Sequence, residues 1–260
     1  MSFPYENYQK IEEAFKIYYP TGAEERARWI VQTLNDAGKL LSELLQQPLP
    51  EIQVLLVATS DWQLAPRDEE EENSDLLPYW TSGSVPGALV VPVEIDAVFG
   101  EPTQDKLAFM LYQGLTLAFL ESDARPWPED YPLWADEWQL KLAALWLAQR
   151  LDNIRGIVNK DLSEEYIDIF EPEADGKTPV TVRGFDWFED TAVEDYLTYE
   201  LLLEQFAADL LAKYEPDILP RFLALYRKER AVLLSDDATK MLASVLGAGG
   251  EEWLENLVYF

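Results

Sequence analysis

Leu111-Tyr112-Gln113-Gly114-Leu115-Thr116-Leu117-Ala118 lies in the middle of a strongly apolar stretch, residues 104–121, that decides how the rest of the chain is read. Pro102 and Thr103 stand where a helix begins, and Leu107, Phe109, Met110, Leu111, Leu115, Leu117, Ala118, Phe119 and Leu120 follow. At 3.6 residues per turn these side chains cover nearly every side, and a helix apolar all round is a buried one. Within it, Tyr112, Gln113 and Thr116 are polar. Tyr112 and Thr116, four residues apart, share one face, and polar groups at such depth need hydrogen-bond partners or a function.

Towards the N-terminus the pattern predicts a helix and a small sheet. Residues 5–18 are mixed, readable as a short helix or a first strand. Pro20-Thr21-Gly22 is a turn, and Thr21 with Glu24 three residues on has the form of a capping box. Ala27, Ile30, Val31, Leu34, Ala37, Leu41, Leu44 and Leu45 then recur at helical steps until Pro48 and Pro50. Ile52–Val57 and Gly87–Val93 read as strands, the second placed at a sheet edge or strand end by Pro92. Between them Asp68, Glu69, Glu70, Glu71, Glu72 and Asp75 form a carboxylate-only run. It reads as a solvated loop, because a calcium loop wants alternating ligands and a glycine turn.

Towards the C-terminus, Arg125-Pro126-Trp127-Pro128 and Tyr131-Pro132 lead into a second long helix, about 132–152. Trp134, Trp138, Leu142, Leu145 and Trp146 form its apolar stripe. Residues 160–185 are acidic and irregular, with a small hairpin expected at Val180-Thr181-Val182, and helices are expected at about 190–213, 216–230, 235–246 and 250–258. The expected class is therefore α+β, helix-rich: a small mixed sheet with two central helices and a helical C-terminal lobe. An α+β lobe over 1–122 and a helical lobe over 123–260 are expected to form one compact unit.

Composition narrows the chemistry. The 260 residues contain neither Cys nor His. Disulfides, thiolate metal sites and Ser/His/Asp or Cys/His catalysis are thereby excluded, along with the commonest metal ligand and general base. With 49 Asp and Glu against 20 Lys and Arg, the net charge of -29 opposes binding to nucleic acid through a basic patch. It serves solubility, or an acidic surface that docks on a basic partner. The first residues lack the basic-then-apolar order of a signal peptide and no stretch is apolar enough to span a membrane, so a cytoplasmic location is expected.

The passage from about 14 to 150 resembles the gluzincin type of zinc metallopeptidase domain (a zincin-like fold). In that family a helix and a small sheet precede a buried helix carrying H-E-x-x-H, and a second helix supplies a Glu as third metal ligand. The resemblance places Tyr112 and Thr116 at the two metal-binding His, Gln113 at the general-base Glu, and Glu137, in Tyr131-Pro132-Leu133-Trp134-Ala135-Asp136-Glu137-Trp138, at the third ligand. It likens Gly87–Pro92, preceded by Tyr79-Trp80, to the strand lining the substrate cleft, and Asp195-Tyr196-Leu197 through Leu225 to the helices behind the site. The active motif holds zinc through ligands at i and i+4, with a Glu between them to take a proton from bound water. A phenol, an alcohol and an amide cannot replace these groups, and Trp138 crowds a position where the family has a small residue. The resemblance thus implies a non-catalytic, metallopeptidase-like protein with no metal and no cofactor. A relic cleft lined by Tyr79, Trp80, Tyr112, Gln113, Thr116, Trp134, Glu137 and Trp138 would bind a peptide, protein or small molecule.

Each of these residues also has a plainer account. Glu137 can pair with Lys141 one turn on, Gln113 and Thr116 can be satisfied inside a buried helix, and the Trp stripe can be core. Two further functional readings stay open: an acidic decoy for a basic partner, and a hydrolase using carboxylates alone.

Overall fold

The computed structural model describes residues 3–68, 75–165, 180–186 and 191–260. The Glu69–Glu72 part of the acidic run, and with it the calcium-loop question, lies outside those residues. The fold is α+β and helix-rich, and the chain divides into two compact units, Met1–Asp123 and Ala124–Phe260.

In the first unit, β1 (Gln9–Glu12), β2 (Lys16–Tyr19), β3 (Ile52–Val57), β4 (Tyr79–Thr81) and β5 (Gly87–Pro92) form one mixed sheet in the order β1-β2-β3-β5-β4. The mixed N-terminal segment resolves into the hairpin β1–β2. β2, β3 and β5 run parallel, while β1 and β4 are antiparallel edges. All six residues of β3 are buried, as a central strand covered on both faces requires. Of the two positions its proline suggested, a sheet edge or a strand end, β5 has the second, because β4 pairs along its outer side. Pro92 is tolerated as the last residue of the strand.

α1 (Glu24–Leu45) makes the crossover from β2 to β3 and buries Ala27, Ile30, Val31, Leu34, Ala37, Leu41 and Leu45. The capping box does not form. Gly22 adopts a positive φ of 91°, the turn runs one residue further, and Ala23 becomes the cap. Glu24, in the first turn, binds Arg28 instead. α2 (Gln104–Ser122), capped by the Thr103 hydroxyl, is buried almost all round, as its sequence predicts. It lies on the sheet face that carries Leu89, and at Gly114 the approach is close: a Cβ there would stand 2.5 Å from Leu89 Cδ1. On the opposite face Leu55, Val57, Ala88 and Val90 pack against Phe3, Trp62 and Ala65.

The second unit holds α3 (Leu133–Leu151), α4 (Lys160–Glu165), α5 (Val193–Lys213), α6 (Ile218–Tyr226), α7 (Ser235–Leu246) and α8 (Gly250–Glu255). α3 packs along α5, and the stripe Trp134, Trp138, Leu142, Leu145 and Trp146 is buried as expected. Among the described residues, 180–182 form no strand, and the part of the expected hairpin before residue 180 lies outside them. Val182 and Arg183 donate their N–H groups to the carbonyls of Tyr259 and Phe260, and a turn follows in which Gly184 and Phe185 bond back to Thr181. Among the described residues, no helix is long and apolar enough to cross a membrane.

Candidate functional site

On α2, Thr116 is fully buried and its Oγ1 donates to the carbonyl of Tyr112 at 2.8 Å. Bonding back to residue i−4 is how a buried helical threonine satisfies its hydroxyl without any outside group. Tyr112 is itself buried. Gln113, between them, is half-buried, and its amide makes no hydrogen bond to another described residue.

The edge strand separates the two aromatic residues assigned to one cleft. Successive strand residues point to opposite faces. Trp80 turns to the α2 side, where Nε1 donates to Glu121 Oε2 at 2.7 Å and the indole lies over the bare Cα of Gly87. Tyr79 turns the other way. Its hydroxyl donates to the Pro66 carbonyl at 2.9 Å and its ring meets Trp62 edge-on at 5.5 Å. The expectation that both line a single wall is therefore corrected by the pleat.

In the second unit, Trp134 and Trp138 are core residues. Trp134 Nε1 donates to Ser235 Oγ at 2.9 Å and its ring meets Phe260 edge-on. Trp138 is fully buried against Phe222 and Phe206.

Glu137 has a different setting. The expected helical ion pair with Lys141 gives way to a bond across to α5, Lys141 Nζ to Glu200 Oε2 at 2.5 Å, with both side chains largely buried. Glu137 feels Lys141 as a nearby charge, and its buried Oε2 has no hydrogen-bond partner among the described residues. Tyr199 sits close enough to favour its ionised form, but the two groups make no hydrogen bond of ordinary geometry. Burial first, and then repulsion from Glu200, push the Glu137 carboxyl up to about 8. Around it Tyr199 is raised by burial and by Glu137, and Tyr196 by Glu200 and then burial. Phe185 stacks on the Tyr199 ring at 4.1 Å and holds it in place. The result is a neutral carboxylic acid beside an ion pair and two phenols.

This arrangement has a pH signature. Glu137 keeps its proton in the folded state up to about pH 8, whereas an ordinary Glu loses it near 4.5. Stability therefore falls as pH rises between those values, because the folded chain binds the extra proton. Glu137→Gln should flatten that slope and stabilise the protein at pH 8 by about 1–3 kcal/mol, allowing for the part of the carboxyl that water reaches. Urea unfolding from pH 5 to 9 checks this, and an unchanged slope would refute it.

The zinc chemistry of the family that the sequence resembles does not fit these donors. Thr116 has spent its hydroxyl and Gln113 is an amide, which leaves Glu137 as the single carboxyl among the four positions. Among the described residues no three acidic side chains converge as a metal-binding group. Sequence reading missed Glu200, Tyr196 and Tyr199 as neighbours of Glu137. Their i, i+3, i+4 spacing gave a common helical face, but not the helix it meets. No known family model matches the chain, and no curated protein matches it either.

Proposed function

We propose that this chain is a non-catalytic, zincin-like protein, a metallopeptidase-type scaffold that binds a peptide, protein or small molecule without cleaving it. The observation that carries this reading is the Thr116-to-Tyr112 hydrogen bond. It ties one of the two ligand positions to the backbone of the other, while the Gln113 amide between them makes no hydrogen bond to another described residue. The antiparallel edge strand β4, lying beside a buried helix with polar residues at i, i+1 and i+4, supports the same scaffold. Gln113 has nearly the shape of Glu, but an amide accepts no proton from water and can only bind.

Metal analysis of the purified chain, together with a peptide-cleavage assay, tests the proposal. Zinc well below one per chain and no cleavage are expected, even in buffer supplied with zinc. One tightly held zinc, with cleavage abolished by a chelator, would overturn it.

A further inference from the structure

The carboxyl ends of the parallel strands carry a second feature, independent of the zincin reading. Where the chain leaves β5 and returns to α2, a hollow of about 560 Å³ opens, with Arg26 and Trp29 of α1 on one side and Ile95, Pro102 and Leu107 on the other. A second hollow, of about 480 Å³, shares Arg26, Val93 and Glu94 with the first. In parallel sheets this end of the strands is where ligands bind.

Arg26 is unusual for so acidic a chain. It is half-buried, burial lowers its pKa, and Nη1 donates to the Val93 carbonyl. No described carboxylate pairs with it, although two residues on Arg28 holds Glu24 at 2.8 Å. A guanidinium carries five N–H donors in a planar fork, so a single carbonyl leaves most of them available for an oxyanion. Beside it the half-buried Trp29 ring contacts no other described aromatic ring, and Ile95, Pro102 and Leu107 add apolar walls. Thr103 and Gln104 complete a lining of mixed polarity, and apolar walls beside one directed cation suit an apolar molecule with one anionic end. Glu25 and Glu94 at the rim, and the net charge of -29, oppose a dianion such as a phosphate monoester.

We propose that this hollow binds a small aromatic or aliphatic monocarboxylate, with its carboxylate on Arg26 and its apolar body against Trp29 and Leu107. Titration of the full chain with 3-phenylpropanoate, and separately with 3-phenylpropanamide, tests this through the indole N–H resonance of Trp29, identified by its loss in Trp29→Phe. The acid should shift that resonance saturably and bind at least about tenfold more tightly than the amide, in line with a charge-assisted bond. Arg26→Gln should abolish the preference for the acid. Arg26→Lys, which keeps the charge without the fork, should retain part of it. Circular dichroism verifies that each variant is folded, and Arg26→Lys serves alone if Arg26→Gln is not. Equal binding of acid and amide, an unchanged preference in the Arg26 variants, or no saturable shift by about 10 mM acid would overturn the proposal.

Discussion

Replacing Lys141 with Met should lower the unfolding free energy by about 3–5 kcal/mol, the cost of stripping one partner from a buried ion pair. Lys141 is almost fully buried and its ammonium holds Glu200 across the α3–α5 contact, while its charge also moderates Glu137. Without it, two carboxyl groups face one another in a poorly hydrated space. A second substitution, Glu200→Gln, should recover more than half of the loss, because the remaining Glu137 is already neutral at pH 7. Urea denaturation of the single and double variants measures both. A loss below about 1 kcal/mol, the range of exposed pairs, would mean that water reaches the cluster freely.

Gly114→Val is the second large effect expected. The helix itself would gain from almost any residue there, by about 0.5–1 kcal/mol for Ala. The sheet opposes it. Leu89 is fully buried and its Cδ1 would lie 2.5 Å from the new Cβ, so the leucine tip must shift within a packed core. Overpacking costs about 1–3 kcal/mol, which makes Gly114→Ala a net loss of about 1 kcal/mol. The branched Val should lose about 3 kcal/mol, since its two methyls cannot both avoid the strand. Thermal unfolding ranks the three chains, and a Val variant as stable as the natural one would show that α2 sits further from β5 than the geometry says.

Much of the fold is legible where hydrophobic period and burial coincide. The six-residue run Ile52–Val57 and the α1 stripe from Ala27 to Leu45 occur where periodicity puts them, and so does the all-round apolar α2. Errors arise where two local signals compete. Pro92 fits a sheet edge or a strand end equally well, and only the pairing with β4 decides for the strand end, where a missing N–H costs nothing. Thr21 and Glu24 have capping-box spacing, but Gly22 lets the turn extend and moves the cap to Ala23.

The candidate site is less legible, for a different reason. The opposite facing of Tyr79 and Trp80 follows from the pleat and could have been read from two adjacent positions. That Lys141 would choose Glu200 over Glu137 could not, because residues 59 apart in sequence become neighbours only through helix packing. The isolation of Arg26 was equally hidden, since a sequence this rich in acids offers it partners everywhere.

The sheet's two margins differ, yet each discourages accretion. β1 presents Lys10 and Glu12, both well exposed and paired with each other, along one border. β4 ends the other after three residues, its Trp80 anchored to Glu121. Charged or very short borders give a neighbouring copy little to zip onto. Crowded solutions of this chain should therefore resist growing cross-strand ribbons, a property of its outline rather than of its interior.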